Sequence, residues 1–159
     1  MRKYSAFINE KLLLGKNHKN NITYNYKPTS KKELRNIIID RINVVGPDCN
    51  LNDIDVSQIT DMSYLFWGLE IENIDISCWN VSNVTNMEGM FNKCKNFNSD
   101  ISEWNVSNVK NFNYMFYMCK KFKADLSEWN INKNASHSTM FFGCLKQNKN
   151  ERPKGLQSS

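Results

Sequence analysis

The chain has 159 residues, of which 40% are hydrophobic and 23% are charged, a composition typical of a globular domain. Its net charge is +5, but the excess of Lys and Arg lies mainly at the two ends, which argues against a basic face for nucleic acid along the chain. No run of apolar residues is long enough to span a membrane, and the charged N-terminus lacks the apolar core of a signal peptide. We therefore expect a cytoplasmic protein with no membrane contact.

The N-terminal segment, residues 1–49, contains one clear helical pattern. Before it, Ala6–Leu14 could form a short helix or strand, and Asn21–Tyr26 alternates apolar and polar residues as an edge strand does. Ser30 followed by Glu33 is a capping-box pair, and apolar residues recur at helical spacing until Gly46 and Pro47. This pattern predicts a helix over about 30–45, which would cover the open end of the repeats that follow.

Four copies of one pattern then recur at intervals of 25 residues: Asn52–Phe66, Ser77–Phe91, Ser102–Phe116 and Ser127–Phe141. A fixed period of this length indicates a stack of similar supersecondary units. Trp79, Trp104 and Trp129 share one repeat position, so we expect their rings to stack in one column in the core. The fourth copy is worn, because Asn134 and His137 replace apolar residues of the other copies.

Each unit combines a strand-like and a helix-like pattern. Trp104 and Val106 alternate with polar neighbours, whereas Val109, Phe112 and Phe116 recur at helical spacing. We therefore predict an α/β repeat solenoid with leucine-rich-repeat-like coils, each made of one short parallel strand and one short helix. This four-unit solenoid would span residues 50–145, and residues 146–159 would form a polar, flexible tail.

Three rows of residues in the repeats suggest chemistry but have structural interpretations that we favour. Cys94, Cys119 and Cys144 recur where the first unit has Leu69, so we expect buried, reduced thiols. A row of Asp residues could bind calcium, but Asp in this context more often bonds the backbone of a turn. A row of Asn residues could contact a ligand, or could stabilise the register of the stack. These two rows are Asp75, Asp100 and Asp125, and Asn80, Asn105 and Asn130.

The residues from Trp79 to Cys94, WNVSNVTNMEGMFNKC, resemble the 25-residue repeat of BspA-type leucine-rich-repeat surface proteins, also described as the mycoplasma-type lipoprotein or DUF285 repeat. The resemblance covers about residues 50–145, and the helical segment before it is similar to the one that often leads into such arrays. It implies adhesion and protein binding at a cell surface and no catalysis. The small number of units and the lack of a secretion signal differ from that family and favour a stand-alone cytoplasmic binder.

We predict a non-enzymatic module that binds a macromolecular partner on one face of the solenoid, with no cofactor, no metal and no small-molecule substrate. No catalytic constellation or metal-binding motif is present in the sequence. Side chains that vary between units on a fixed frame are the best candidates for partner binding, together with two aromatic residues that follow the predicted helices. These candidates are Tyr64, Trp67, Cys78, Glu88, Glu103, Asn113, Tyr114, Tyr117 and Glu128.

The identity of the partner stays open at this stage. A protein is the first expectation, and a complex of protein and RNA is the alternative. A phage or mobile-element inhibitor that occludes a host defence nuclease, such as a CRISPR effector, would fit a small cytoplasmic array. A truncated surface adhesin would fit the family that the repeats resemble.

Overall fold

The computed structural model describes residues 22–154 and 156 of the chain. Among these residues it contains one α-helix, α1 at Lys31–Val45, and one 3₁₀ helix at Lys149–Glu151. No strand longer than an isolated parallel bridge occurs in this part of the chain. The pattern at Ala6–Leu14 lies outside the described residues, but Tyr26 at the end of the second pattern forms a parallel bridge with Ile54.

Helix α1 begins and ends at the signals present in the sequence. The Ser30 hydroxyl accepts a hydrogen bond from the Glu33 amide, and the Glu33 carboxylate in turn accepts one from the Thr29 amide. Gly46, with φ 110°, ends the helix by donating its amide to the Ile42 carbonyl. The buried side chains Leu34 and Ile38 join the core of the repeats, so the helix packs against them by one apolar stripe.

The repeats lie on one another as four coils, which we number coil 1 (52–76), coil 2 (77–101), coil 3 (102–126) and coil 4 (127–151). One segment of each coil pairs with the same segment of the next coil, and we call these the ladder segments: 61–68, 86–93, 111–118 and 136–143. Parallel bridges join Asp61 to Asn86, Asn86 to Asn111, and Asn111 to Ser136. The stack therefore keeps a constant register of 25 residues along its length.

The hydrogen bonds between ladder segments have one direction. The amides of Met87, Gly89 and Phe91 in coil 2 donate to the carbonyls of Asn111, Asn113 and Met115 in coil 3, at 2.8–3.0 Å. Coil 1 donates to coil 2 and coil 3 donates to coil 4 in the same way. Each ladder segment thus directs alternate amides toward the C-terminal end of the stack and alternate carbonyls toward its N-terminal end.

The helix predicted within each repeat is wrong, and this ladder explains why. A helix would need the amides of residues 112–116 to donate within their own turn, but Phe112, Tyr114 and Phe116 donate to coil 4 instead. The backbone is also left-handed at the same two positions of each coil, which are Tyr64, Gly89, Tyr114 and Thr139, and Gly68, Lys93, Met118 and Gly143. Successive tight turns, such as the one closed by the Met115 amide on the Phe112 carbonyl, produce the spacing that resembles a helix.

The strand predicted around each Trp is also replaced by turns. The Asp100 carboxylate accepts the Ser102 amide at 3.1 Å, and the Asn105 side chain accepts the Ser107 amide at 3.2 Å. The same pair of turns recurs at Asp75 and Asn80 in coil 2. The rows of Asp and Asn therefore form side-chain turns that bend the coil.

Aromatic columns form the centre of the core. Neighbouring rings in the Phe66, Phe91, Phe116 and Phe141 column lie 5.2, 5.7 and 5.5 Å apart with nearly parallel planes. Trp79 and Trp104 stack at 6.4 Å, whereas Trp129 packs against Phe112 and Phe116. Each indole Nε1 donates to a carbonyl of the preceding coil, namely that of Leu51, Ile76 or Ile101, at 2.9–3.1 Å. The columns thus join neighbouring coils by ring packing and by one buried hydrogen bond for each Trp.

The cysteine row lies beside the Phe column and is buried. The Cys119 thiol donates to the Phe91 carbonyl at 3.0 Å, and Cys94 and Cys144 make the corresponding bonds with the carbonyls of Phe66 and Phe116. All five cysteines of the chain are free thiols. Burial raises the pKa of Cys94 to about 12 and that of Cys144 to about 11, and it also raises the pKa of Cys119. These thiols therefore stay protonated and pack as apolar side chains at neutral pH.

The C-terminal residues differ from the flexible tail expected from their polarity. The Leu126 amide donates to the Glu151 carbonyl at 2.7 Å, and Leu156 is buried in the core cluster. The Arg152 guanidinium lies 4.8 Å from the centre of the Phe141 ring, which is the last ring of the Phe column. Since coil 4 has no fifth coil to bury its rings, the tail covers them. We propose that the stack with its two covered ends is a short repeat solenoid.

Candidate functional site

The ladder segments carry a row of exposed aromatic side chains on their outer side, which we call the ladder face. It comprises two repeat positions, 64, 89, 114 and 139, and 67, 92, 117 and 142, where large aromatic residues predominate. Trp67 and Phe142 are 52% and 58% exposed, and Tyr64 and Tyr114 are 39% exposed each. Core packing therefore leaves much of these rings accessible to solvent.

The ladder holds these rings in place because it fixes the backbone that carries them. Tyr64 and Tyr114 both have positive φ, 53° and 58°, and both donate their amides to the next coil. Tyr114 packs edge-on against Tyr117 at 6.1 Å, and Tyr117 stacks on Phe142 at 5.3 Å with nearly parallel planes. The C-terminal half of the ladder face is thus a connected group of three rings.

Glu88 connects the two halves of the ladder face. Its carboxylate accepts the Tyr64 hydroxyl at 2.8 Å and the Asn111 side-chain amide at 3.0 Å. The hydrogen bond to Glu88 is the main cause that raises the pKa of the Tyr64 hydroxyl above its ordinary value, with burial as the second. Tyr64 therefore keeps its proton and its bond to Glu88 at neutral pH.

A polar cluster between α1 and coil 1 lies at the N-terminal end of the same face. The Lys31 ammonium contacts the Asp61 carboxylate and the Ser63 hydroxyl, both at 2.7 Å. Burial acts to raise the pKa of Asp61, but hydrogen bonds from Lys31 and Ser63 outweigh it and hold the pKa of that carboxyl below its ordinary value. The Arg35 guanidinium donates to the carbonyls of Leu65 and Trp67, and these contacts fix the backbone below the Trp67 ring.

Six of the nine candidate residues predicted from the sequence lie on the ladder segments. Hydrogen bonds and ring contacts link them in order along the stack, except that Tyr117 is half-buried under Phe142 and so is less exposed than expected. These six are Tyr64, Trp67, Glu88, Asn113, Tyr114 and Tyr117.

The other three candidates lie on the segments that carry the Trp residues. Cys78 is half-buried, and its amide donates to the Asn52 side chain at 2.9 Å. Glu103 and Glu128 are exposed, and Glu128 lies 3.8 Å from the Lys154 ammonium. Because both partners of that ion pair are largely exposed, it contributes little to stability. These three residues do not form part of the ladder face.

Phe142 is the residue of the ladder face that the sequence analysis missed. It lies 25 residues after Tyr117 and so occupies the same repeat position as Trp67. The signal was therefore present, but the worn fourth copy drew attention away from it. Among the described residues no cluster of His, Cys, Asp and Glu could hold a metal ion. No helix in the same part of the chain is long and apolar enough to cross a membrane.

Stacked 25-residue coils, a ladder between them and an exposed row of aromatic rings define a repeat protein. The family described as "Mycoplasma protein of unknown function, DUF285" has a model that matches residues 39–153, and the chain belongs to this family. The match begins within α1 and ends in the C-terminal tail, so it includes all four coils. The resemblance seen in the repeat sequences is thereby confirmed. No curated protein and no solved structure matches the chain.

Proposed function

We propose that this protein is a non-enzymatic interaction module that binds a macromolecular partner, in the first place a protein, on the ladder face of its solenoid. The observation that carries the proposal is the row of exposed rings at Tyr64, Trp67, Tyr114 and Phe142. Trp and Tyr supply much of the binding energy at protein interfaces because a rigid ring buries a large area at small entropic cost.

The setting of the rings supports this function. The backbone below them is held by hydrogen bonds between coils, and the Tyr117 ring stacks on that of Phe142. A preorganised face loses little conformational entropy when a partner binds. Polar groups such as Glu88 and Asn111 lie between the rings and can donate to or accept from a partner. This mixture of rings and polar groups is typical of protein interfaces.

Site-specific photo-crosslinking tests which face binds. A benzophenone amino acid placed at Tyr114 should capture a partner from cell extract as a discrete adduct. The same probe at Asn130, which is exposed on the Trp-bearing side of the next coil, should give no such adduct. Capture from position 130 and not from position 114 would contradict the assignment of the face.

Variants of the captured complex test the role of the rings. Trp67→Ala and Tyr114→Ala should each weaken binding tenfold or more, which corresponds to the roughly 1–2 kcal/mol or more expected of an aromatic hot spot. Tyr24→Ala is the matched control, since Tyr24 is equally exposed, at 38%, but lies outside the ladder face. Equal losses in all three variants would show that the ladder face is not the binding site.

The identity of the captured molecule separates the finer hypotheses. Recovery of one nuclease complex would favour an inhibitor of a defence system, and binding only to host-cell surface extracts would favour an adhesin. Treatment of the complex with ribonuclease shows whether the partner is protein alone or includes RNA. A steep dependence of RNA binding on salt concentration would support the latter.

A further inference from the structure

The last ladder segment has the same hydrogen-bond donors as the earlier ones but no coil to receive them. In coil 3 the amides of Phe112, Tyr114, Phe116 and Met118 donate to carbonyls of coil 4 at 2.7–3.0 Å. The equivalent amides of coil 4 donate to no acceptor within residues 22–154 and 156, and these are the amides of His137, Thr139, Phe141 and Gly143. We call this row of four amides the donor edge.

The two ends of the ladder are treated differently by the chain. At the N-terminal end, Arg35 of α1 donates to the carbonyls of Leu65 and Trp67, which are at the positions that accept from a preceding coil elsewhere in the stack. At the C-terminal end, the tail covers the ring of Phe141 with Arg152 and accepts the Leu126 amide on Glu151. The tail therefore covers the core of coil 4 but supplies no hydrogen bond to the donor edge.

The surroundings of the donor edge are accessible. His137, Ser138 and Thr139 are exposed, and the side chains of Phe142 and Leu145 beside them are 58% and 75% exposed. A row of unpaired amides at the edge of a ladder is a template for pairing with another extended chain, and apolar side chains next to it add to the binding.

The direction of the ladder determines what can bind there. The carbonyls of Ser136, Ser138, Met140 and Phe142 already accept from coil 3, and those of His137 and Thr139 accept from turns of coil 4. The edge therefore offers donors, and an occupant must present carbonyl oxygens at every second residue. A second copy of the chain does not meet this requirement, because its own donor edge offers amides and its acceptor end is covered by Arg35.

We propose that the donor edge binds an extended peptide segment of another protein, which runs parallel to residues 136–143 and adds one rung to the ladder through its carbonyl oxygens. The proposal does not depend on the ladder face, since it rests on backbone amides at the end of the stack.

Amide hydrogen exchange on the whole, uniformly labelled protein tests the edge first. The amides of His137, Thr139, Phe141 and Gly143 should exchange at least tenfold faster than their equivalents in coil 3, because only the latter are hydrogen-bonded. Equal protection in the two coils would overturn the proposal.

A synthetic peptide with the sequence of residues 110–119, flanked by lysines for solubility, then serves as the probe of the occupant. This is the segment whose carbonyls accept from the amides of coil 2. It should shift the resonances of the four edge amides in a saturable way and slow their exchange, whereas a peptide of reversed sequence should not. No saturation at millimolar peptide, or shifts confined to other residues, would contradict the proposal. A dimer that protects the same amides in the free protein would show that the occupant is a second copy instead.

Two substitutions at one position separate the amide from the side chain. His137→Pro removes one donor and should weaken peptide binding about fivefold, the effect of one net hydrogen bond. The bridge of Ser136 with Asn111 requires an extended backbone, which a following proline favours. His137→Ala keeps the amide and should bind within about twofold of the parent chain by the same reasoning. Equal binding by both variants would contradict the role of the amide, and the exchange measurement needs neither variant to fold.

Discussion

The ring of Tyr64 in coil 1 lies directly over Gly89 in coil 2. A Cβ atom at Gly89 would come within 2.3 Å of Tyr64 Cε1, which is closer than any real contact of this kind. Gly89 occupies the repeat position of Tyr64 itself, one coil further along. The absence of a side chain there lets the Tyr64 ring fold against coil 2 and donate its hydroxyl to Glu88 at 2.8 Å.

We expect Gly89→Ala to destabilise the protein by displacing this ring. The backbone there has φ 56°, so alanine costs about 1–2 kcal/mol in any case, and loss of the Tyr64–Glu88 bond should add about 1 kcal/mol. Gly68→Ala is the control, because its φ is 76° and a Cβ there meets nothing within 4 Å. The free energy of unfolding, measured in urea, should fall further for Gly89→Ala than for Gly68→Ala, and Tyr64→Ala should abolish that excess. Equal losses for the two glycines would contradict the contact.

Trp104→Phe tests the buried indole bond between coils. The change keeps an aromatic ring but leaves the Ile76 carbonyl without its donor, which lies at 3.1 Å in the parent chain. An unsatisfied buried carbonyl costs about 1–3 kcal/mol in unfolding free energy. Trp67→Phe, a change of the same kind at a ring that is half exposed, should stay within about 0.5 kcal/mol. Urea denaturation followed by circular dichroism measures both, and similar values would refute a specific role of the Nε1 bond.

Arg35→Lys should expose the acceptor end of the ladder. The guanidinium donates through both Nη atoms to the carbonyls of Leu65 and Trp67, and a lysine ammonium cannot span the two. We expect a loss of about 1–2 kcal/mol in unfolding free energy. Lys32→Ala, an exposed position on the same helix, should change it by less than about 0.5 kcal/mol. Amide exchange of coil 1 should rise in Arg35→Lys only, and unchanged exchange would show that Arg35 does not hold this end.

Stability should fall as the pH rises above about 9, because of the cysteine row. Burial raises the pKa of Cys94 and Cys144 to about 12 and 11 from an ordinary value of 9.0, and it raises that of Cys119 as well. Above pH 9 the unfolded chain therefore loses thiol protons that the folded chain keeps, so their contribution is complete below that pH and is lost toward the folded values. The urea midpoint should decline less steeply between pH 8 and 10.5 in Cys119→Ala than in the parent chain. Parallel curves would argue against this linkage.

The sequence predicts which residues share a position in the stack, but not the path of the backbone between them. Spacing alone places Trp79 with Trp104 and Cys94 with Cys119, because side chains of one size at one interval pack best on their equivalents. The Ser30 cap and Gly46 likewise bound α1, since both signals are local. A run of tight turns shares the spacing of a helix, however, so apolar periodicity could not separate the two at residues 109–116.

The candidate site was accessible to prediction only in part for a similar reason. Variation between repeats marks Tyr64 and Tyr114 as outward-facing, and the structure places both on the ladder face. The same criterion selects Glu103, which lies on the Trp-bearing segment, because variation identifies exposure and not a shared surface. The donor edge has no signal in the side chains at all, since it consists of backbone amides whose direction depends on the turns. The tail was misjudged because its polarity hides Leu156, which is buried in the core cluster.

The constant register of the ladder has a consequence for how such a gene can change length. Every hydrogen bond between ladder segments joins residues 24 to 26 positions apart, so excision of residues 77–101 would bring Ile76 next to Ser102 with each remaining rung still matched. An in-frame deletion or duplication of another size would shift buried rings out toward solvent. Recombination between copies can therefore shorten or extend the molecule in whole steps, while its first helix and last turn are inherited unchanged.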